Sequence, residues 1–322
     1  MRFVIYGAGA IGGTIGARLH QHGHDVVLIA RGPHLDAIRA TGLRFETPIE
    51  SVALPVPAAG HPSEIDWRTG DVVILTTKTQ QTPQALDDLR SAAGTAVPVV
   101  CAQNGVENER LAARVFDHVY AMLVYLPATH LEPGVVQASA APVCGILDAG
   151  VYPHGVDTTI TEVTAAIDSS SLSAKPTPDI MRWKYAKLLA NLGNAIQAAC
   201  DQSDDARDLY RRVRAEAVAC YEAAGITPAS VEEEAERRKS MSRPAPIAGQ
   251  ARSGGSTWQS LARGTGSVEV DYLNGEIVLT GMLHGVPTPA NAAMQRIARR
   301  MAIDGAPPGS MRLADIEAEI AR

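Results

Sequence analysis

Cysteine is scarce in this chain, and its few residues are scattered: Cys101, Cys144, Cys200 and Cys220. No CxxC pair occurs, and no histidine lies near them at the spacing of metal ligands. This distribution is typical of neither a zinc site nor a disulfide framework, so we expect no metal. We expect the four cysteines to be reduced and mostly buried, in a cytoplasmic protein.

An excess of positive charge is also missing. The chain has 29 Lys and Arg against 35 Asp and Glu, a net charge of −6, so it offers no basic surface for nucleic acid or an anionic membrane. It contains no run of about 18 uncharged apolar residues, which argues against a membrane span. The first residues, MRFVIYGAGAIGG, hold one basic residue and lead into a glycine loop, so we expect no signal peptide.

Length and patterning predict two domains. A chain of 322 residues is longer than one hydrophobic core usually sustains. Its first part alternates short apolar runs with helical segments, which is typical of a parallel sheet wrapped by helices. Strands are predicted at 2–6, 25–29, 71–76 and 97–102, with edge strands at 119–126, 134–139 and 143–147.

A Ser- and Pro-rich run at 168–178 interrupts this alternation, and strand patterns are absent after it. Helices are predicted at 179–199, 204–224, 230–239, 267–283 and 289–302, with a Gly- and Pro-rich loop at 241–256. The charged run at 232–239 is expected to be a solvated helix face. We therefore predict an α/β fold: an N-terminal Rossmann-type domain with a mostly parallel sheet at 1–174, then an all-α domain at 175–322.

A glycine motif follows the first predicted strand and opens the first helix. Its residues are Gly7, Ala8, Gly9, Ala10, Ile11 and Gly12. In this setting the first glycine permits a tight turn, the second lets a pyrophosphate approach the backbone, and the third lets strand and helix pack closely. The helix N-terminus then offers free N–H groups to the phosphates. The motif predicts a dinucleotide site.

Polar residues end three of the predicted strands: Arg31, Lys78 and Asn104. The carboxyl ends of parallel strands share one edge, so we expect all three beside the glycine loop. Arg31 stands where an enzyme that prefers NAD usually has an acidic residue, and a guanidinium can pair with the 2′-phosphate of NADP. The sequence therefore favours NADP(H). The alternative, an exposed arginine that merely opens the next helix, stays open.

A polar stripe runs along the apolar helix predicted at 179–199. Lys184, Lys187, Asn191 and Asn194 recur at spacings of three, four and three, which places them on one helix face. The stripe is interpreted as facing a ligand, although a purely solvated face is the alternative. A half-buried lysine there could donate a proton. Glu269 is either a first-turn charge favoured by the helix dipole or a site residue.

These pieces together resemble the ketopantoate reductases (2-dehydropantoate 2-reductases), over the whole length of the chain. The matching motifs are GAGAIG with Arg31, TTK ending in Lys78, QNG containing Asn104, KLLAN with Lys187 and Asn191, and EVDYLNG beginning at Glu269. The resemblance implies an NADPH-dependent reduction of a small 2-keto acid to the 2-hydroxy acid, a step of pantothenate biosynthesis.

By this resemblance Lys187 is the general acid that protonates the nascent alkoxide, and Lys78 lies near the nicotinamide. Asn104, which also lines the cofactor crevice, Asn191 and Glu269 hold the substrate; Lys187 and Glu269 are the catalytic candidates. Ser256 and Asn194 complete the substrate set implied by the family pattern.

The sequence departs from that pattern at two places. Ala195 stands eight residues after Lys187, where a second asparagine is expected, and Asn194 comes one residue early. The expected Ser-Met-x-x-Asp is replaced by the residues from Ser256 to Ser260, which include Trp258. Both departures concern positions near the substrate, so we expect ketopantoate to be a poorer substrate than a more apolar keto acid or ketone.

Two other functions stay open. A 3-hydroxyacid dehydrogenase or another small-carbonyl reductase would share the Rossmann domain and the Lys-x-x-x-Asn helix. A protein that senses NADP without catalysis would share the glycine motif, but it would not need Lys187, Asn191 and Glu269 together. No motif sets the oligomeric state, which leaves room for a homodimer.

Overall fold

The structure is a computed structural model that describes residues 1–201, 203–239, 244–249, 254–264 and 266–321. The chain divides into two compact units. The first unit comprises Met1–Gln103, Glu107–Trp183 and Ser230–Arg252, and the second comprises Asn104–Val106, Lys184–Ala229 and Ser253–Arg322.

The first unit is built on a large sheet of seven strands. The strands of the unit are β1 (Arg2–Tyr6), β2 (Asp25–Ile29), β3 (Leu43–Glu46), β4 (Ser51–Leu54), β5 (Ala58–Ala59), β6 (Asp71–Leu75), β7 (Val99–Cys101), β8 (Val119–Met122), β9 (Ala128–Thr129), β10 (Val135–Ala138) and β11 (Ala149–Val151). The strand order in the large sheet is β11-β8-β7-β6-β1-β2-β5. All neighbours in the large sheet pair in parallel except β11, which is antiparallel to β8. The predicted α/β class with a mostly parallel sheet is confirmed.

Helices cover both faces of this sheet, because its central strands are apolar on both sides. These helices are α1 (Ala10–Gln21), α2 (Gly32–Thr41), α3 (Thr82–Ala93), α4 (Asn108–Ala113) and α5 (Thr158–Asp168). One face buries Phe3 and Ile5 together with Ile15 of α1, and the opposite face buries Val4 and Tyr6. Strand β1 is in register with both neighbours, since Arg2 lies opposite Asp25 and Asp71. Because β1 has a strand on each side, the glycine loop that follows it begins at the end of an interior strand.

A second, four-stranded sheet has the order β4-β3-β10-β9. Val143 to Leu147, predicted as an edge strand, forms no named strand; Ile146 makes only isolated bridges to Tyr125 and Ser173. The antiparallel edge strand of the large sheet is instead β11.

The second unit is helical in its described residues. Its helices are α6 (Ile180–Asn191), which begins in the first unit, α7 (Gly193–Ala199), α8 (Arg207–Ala223), α10 (Ser256–Ala262), α11 (Asn274–His284), α12 (Pro289–Asp304) and α13 (Leu313–Ile320). The helix predicted at 179–199 is thus divided at Leu192. Most of the predicted loop at 241–256 lies outside the described residues or outside helices, and Ser256 begins α10.

The division into units differs from the boundary predicted at 174/175. The Ser- and Pro-rich run is tied to the first unit by backbone hydrogen bonds: Leu147 N–H donates to Ser173 (2.8 Å), and Ala149 N–H donates to Lys175 (3.2 Å). This unit therefore continues to Trp183. Composition alone could not show that the run pairs with a strand edge.

The first unit also includes residues 230–252, which contain helix α9 (Val231–Arg238). The charged run on α9 was predicted to be solvated, and that is only partly correct. Arg237 makes two hydrogen bonds of 2.6 Å to the carboxylate of Asp148, whose side chain is 1% exposed. Arg238 lies over the ring of Tyr125, 4.6 Å from its centroid. Arg237 and Arg238 therefore contact partners within the first unit and help to hold α9 there.

Candidate active site

The glycine loop has the geometry that a dinucleotide pyrophosphate requires. Gly7 has a φ of +109°, which an L side chain rarely adopts. A Cβ on Gly12 would lie 2.3 Å from the carbonyl oxygen of Gly7, whereas a Cβ on Gly9 would meet no described atom within 4 Å. The first and third glycines thus serve the turn and the close packing, and the second faces open space. A phosphate could approach the backbone there.

Helix α1 adds a favourable electrostatic environment. It begins at Ala10, has no side-chain hydrogen bond at its N-cap Gly9 and has no acidic residue in its first turn. Its N-terminal N–H groups and the positive end of the helix dipole are therefore not offset by a local carboxylate. The loop and α1 together fit an anionic dinucleotide.

Two side chains that the sequence did not single out hold this loop. The hydroxyl of Thr76 donates to the carbonyl oxygen of Gly7 at 2.7 Å. The Nε2 atom of His34 lies 2.7 Å from the carbonyl oxygen of Ala8. The threonine directly precedes the Thr-Lys pair at the end of β6, a signal that could have found it. His34 gave no such signal.

Arg31 is the N-cap residue of α2 and lies directly after β2. Its side chain is 60% exposed, and its nearest polar partners are the hydroxyl of Tyr6 at 3.4 Å and the carboxylate of Asp88 at 3.5 Å. Burial, with Asp88 nearby, raises the pKa of Tyr6 to about 12, so this phenol stays protonated. The guanidinium is therefore accessible to a bound anion.

Lys78 is half-buried after β6, where a short 3₁₀ turn begins at Thr79. Buried polar side chains support this turn. Gln103 donates to the carbonyl oxygen of Thr77 and to the hydroxyl of Thr82, both at 2.8 Å, and Asn108 donates to the hydroxyl of Thr79 at 3.2 Å. These hydrogen bonds hold the backbone from which Lys78 extends.

The structure brings three of the predicted cofactor elements to one edge of the sheet. The glycine loop follows β1, Arg31 follows β2 and Lys78 follows β6, and these three strands are neighbours. Asn104 follows β7, but its contacts group it with the second unit.

In the second unit, the polar stripe divides between two helices. Lys184 and Asn191 on α6 are 3% and 5% exposed, and Lys187 is half-buried. The Nδ2 atom of Asn191 is buried without a hydrogen-bond partner among the described residues. A buried donor left unsatisfied costs about 1–3 kcal/mol, so this amide is suited to receive a ligand oxygen. The stripe is thus not a solvated face.

The break at Leu192 is held by a buried polar network. Asn274 donates to the carbonyl oxygen of Leu192 at 3.3 Å and to Asn291 at 3.1 Å. Asn291 in turn donates to the carboxylate of Glu216 at 2.8 Å, which also accepts from the backbone of Ala290 at 2.8 Å. The network fixes the step between Asn191 and the start of α7. Asn274 belongs to the EVDYLNG motif but was not predicted as a functional residue.

Asn194 on α7 lies against the start of α10. Its Nδ2 atom donates to the hydroxyl of Ser256 at 3.4 Å, and the neighbouring Gln197 accepts from the backbone N–H of Gly255 at 2.8 Å. Ala195 is 1% exposed. The structure therefore brings Asn194 and Ser256 together. It buries Ala195, which stands where the family pattern has an asparagine.

The residue after Asn104 packs on the turn that Glu269 begins. Glu269 is 6% exposed and begins a 3₁₀ turn that ends at Tyr272. Gly105, directly after Asn104, packs on this turn so closely that a Cβ there would lie 2.9 Å from the carbonyl oxygen of Tyr272. Glu269 is thus a buried acidic residue in the first turn of a 3₁₀ helix, and burial does not decide between the two interpretations that the sequence left open.

The described residues contain no cluster of three or more His, Cys, Asp or Glu that could hold a metal ion. All four cysteines are buried and unbridged, as predicted. None of the described helices combines the length and the apolar character needed to span a bilayer.

Comparison with known proteins places this arrangement in a family. The family described as Ketopantoate reductase PanE/ApbA matches residues 3–146, and its C-terminal counterpart matches residues 179–302. A 2-dehydropantoate 2-reductase from Mesorhizobium japonicum is 30% identical, over 94% of this chain and 98% of its own length. One from Pyrococcus horikoshii is 32% identical, over 59% of this chain and only 61% of that protein.

Solved structures agree. A ketopantoate reductase of the PanE/ApbA family from Ralstonia eutropha has a TM-score of 0.78 and 29% identity, covering 95% of this chain and 99% of its own. A D-mandelate dehydrogenase bound to NADH and anilino(oxo)acetate has a TM-score of 0.80 over the same shares, but at 22% identity it shares the fold alone. The chain belongs to the ketopantoate reductase family.

Proposed function

We propose that this protein is an NADPH-dependent reductase that converts a small 2-keto acid to the 2-hydroxy acid, as the names of its 2-dehydropantoate 2-reductase relatives indicate. The observation that carries the proposal is the stripe on α6. A half-buried lysine lies one helical turn from a buried amide donor that has no hydrogen-bond partner among the described residues. A carboxylate or carbonyl oxygen would satisfy that donor.

The first unit would hold the cofactor. The backbone at Gly9 and the N-terminus of α1 suit the pyrophosphate, the exposed guanidinium of Arg31 suits the 2′-phosphate, and Lys78 ends the strand beside the loop. When bound, NADPH supplies the hydride. The protein binds and orients the reactants and supplies the proton.

Lys187 is proposed as the general acid. As the carbonyl carbon is reduced, negative charge develops on its oxygen, and the ammonium of Lys187 stabilises that charge and then transfers a proton from Nζ to the oxygen. Such a positioned acid is typically worth about 10² to 10⁴ in rate. Lys184, which is more deeply buried on the same face, is not assigned a step.

The amides and hydroxyl of the second unit are proposed to hold the substrate. Asn191 offers its buried donor, and Asn194 and Ser256 form a pair. Asn104 precedes Gly105, which packs on the turn that Glu269 begins. Directional hydrogen bonds of this kind orient a keto acid so that its carbonyl presents one face. Catalytic orientation, rather than simple capture, is their proposed contribution.

The test is an NADPH oxidation assay followed at 340 nm with ketopantoate, 2-ketoisovalerate and larger 2-keto acids. We expect turnover with at least one of them, and loss of that turnover in Lys187→Ala. Lys239→Ala is the matched control, because Lys239 is 72% exposed and paired with Glu236 on α9. If no 2-keto acid is reduced but a 3-hydroxyacid is oxidised, the dehydrogenase alternative is correct. Dinucleotide binding without any turnover would support the NADP-sensing alternative.

We further propose that the protein is a homodimer. Leu279, Met282 and Leu283 lie on one face of α11 and are 46%, 79% and 72% exposed. These three exposed side chains are apolar, so the same patch on a second copy could pack against them in an isologous interface. Light scattering should give twice the chain mass, and Met282→Glu should give the single mass. Val231→Glu, at an exposed apolar position on α9, is the control.

A further inference from the structure

The guanidinium of Arg31 faces a carboxylate. Asp88, on α3, has its Oδ2 atom 3.5 Å from the Nη2 atom of Arg31. The arginine is 60% exposed, but the aspartate is only 16% exposed. The anion is therefore the fixed member of the pair, and the cation is the one that can move.

Three further side chains hold Asp88 in this position. Gln84, one turn earlier on α3, donates to Oδ1 at 2.8 Å, and the hydroxyl of Tyr6 donates to Oδ2 at 3.2 Å. His61 places its Nε2 atom 3.5 Å from Oδ2. The backbone N–H of Ser63 donates to Nδ1 of His61, so Nε2 carries a hydrogen in the neutral ring. Donors from three parts of the chain converge on one carboxylate.

These contacts keep Asp88 ionised. Burial by itself would raise the pKa of this carboxyl, but the interactions with Gln84, Tyr6 and His61 together outweigh it, and the pKa lies below its ordinary value. At neutral pH, a negative charge therefore stands beside the residue proposed to receive the 2′-phosphate.

We propose that Asp88 is a specificity-determining residue that competes with the 2′-phosphate of NADPH for Arg31, and so limits the preference for NADPH over NADH. This inference rests on the proposed use of NADPH. A 2′-phosphate carries up to about two negative charges at neutral pH. It meets a guanidinium already partly neutralised by Asp88 and a like charge close behind it. NADH has no phosphate at this position and meets neither obstacle.

Asparagine separates the charge of Asp88 from its structural role. The Asn side chain has nearly the same shape, and its carbonyl oxygen can still accept from Gln84 or Tyr6. Asp88→Asn therefore removes the competing anion while preserving most of the local packing. Asp87→Asn is the matched control, because Asp87 is the adjacent residue of α3, is 63% exposed and pairs with Arg90 instead.

The experiment measures the dissociation constants of NADPH and NADH by fluorescence titration, without substrate, for the wild type and both variants. Because Asp88→Asn removes one negative charge that repels the 2′-phosphate and pairs with Arg31, the variant should bind NADPH about threefold to tenfold more tightly. NADH affinity should change less than twofold. Asp87→Asn should change both affinities less than twofold.

Ionic strength gives a second readout, one that a purely structural role would not move. At about 1 M salt the screening length falls to roughly 3 Å, so the gain of Asp88→Asn for NADPH should shrink. Thermal unfolding checks that each variant folds, and Asp88→Ser replaces Asp88→Asn if the latter does not. Unchanged or weaker NADPH binding by a folded variant overturns the inference. A wild type that binds neither dinucleotide contradicts the proposed cofactor instead.

Discussion

The imidazole of His34 donates a hydrogen bond to the carbonyl oxygen of Ala8, inside the glycine loop, over 2.7 Å. The assignment of the proton follows from the other ring nitrogen. The backbone N–H of Gly134 donates to Nδ1 over 2.8 Å, and a backbone N–H can only donate, so Nδ1 is unprotonated and Nε2 carries the hydrogen. The neutral ring thus links the loop to the turn before β10.

This link should make stability depend on pH. Burial lowers the pKa of His34 below its ordinary value near 6.5, and the hydrogen bond to Ala8 opposes this only in part. A depressed folded-state pKa means that the unfolded chain takes up the proton first. The contribution is therefore fully present above about pH 6.5 and is lost as the pH falls through the folded-state value.

We expect His34→Gln to flatten the acid side of the stability profile between pH 7 and pH 5, measured as the thermal midpoint. The ring of His130 lies against His34, with 4.2 Å between the two ring centroids, so His130→Gln should be measured beside it. His154→Gln, at an exposed position, serves as the control. An unchanged slope in His34→Gln would remove His34 from this role.

Arg31→Ala should weaken NADPH binding by about tenfold to a hundredfold, since charge-assisted hydrogen bonds contribute roughly 1.5–3 kcal/mol. The affinity for NADH should scarcely change. Dissociation constants from direct titration provide the comparison, and Arg39→Ala, an exposed arginine on α2 paired with Glu64, controls for loss of positive charge. Equal losses for both dinucleotides would place the 2′-phosphate elsewhere.

Lys187→Ala should lower kcat by about two to four orders of magnitude, because the variant loses its proton donor and the charge that stabilises the alkoxide. The dissociation constant of NADPH should stay within about threefold of wild type. Single-turnover rates and cofactor titrations measure the two effects separately. A loss confined to cofactor binding would contradict the proposed role.

Lys78→Ala should change both the affinity for NADPH and kcat, because Lys78 follows the strand beside the glycine loop. We expect weaker NADPH binding together with a lower kcat. The same two measurements test this, with Lys175→Ala, at an exposed position in the first unit, as the control. An effect on kcat alone would separate Lys78 from the cofactor.

Substrate preference should favour apolar keto acids over ketopantoate. Ala195 is buried, and the amide of Asn194 and the hydroxyl of Ser256 bond to each other. Trp258 covers Gly254, where a Cβ would lie 2.4 Å from the indole. A substrate hydroxyl that is buried without a hydrogen-bond partner weakens binding by about 1–3 kcal/mol. We expect kcat/KM to be higher for 2-ketoisovalerate or a larger analogue. A hundredfold advantage for ketopantoate would mean that Asn194 replaces the missing amide.

The parts of the fold that could be predicted from sequence are those built on continuous apolar runs. Strands β1 and β2 were predicted at their observed bounds, because short apolar runs that alternate with helical segments are typical of parallel strands. The strands at Leu43–Glu46 and Ser51–Leu54 were missed. They are short, they carry polar residues, and Leu43–Glu46 pairs with the distant β10, a relationship that no local pattern reports.

The same distinction applies to the site. The glycine loop, Arg31 and Lys78 were predicted together because strand ends share one edge. His34 was not predicted, because an isolated histidine on a short helix carries no signal until the chain brings it to Ala8. Asp88 was missed for the same reason, since an acidic residue on an amphipathic helix is ordinary until its partners are known.

Helix α9 has a consequence for the synthesis of the protein. Asp148 is almost fully buried, and its partner Arg237 lies 89 residues further along the chain. A carboxylate buried without its partner destabilises a fold by about 3–5 kcal/mol. A nascent chain that has emerged from the ribosome only as far as Trp183 therefore holds an incomplete first unit. The N-terminal unit cannot mature ahead of the rest, as independent domains do during translation, and an expression boundary placed at residue 183 would yield a destabilised fragment.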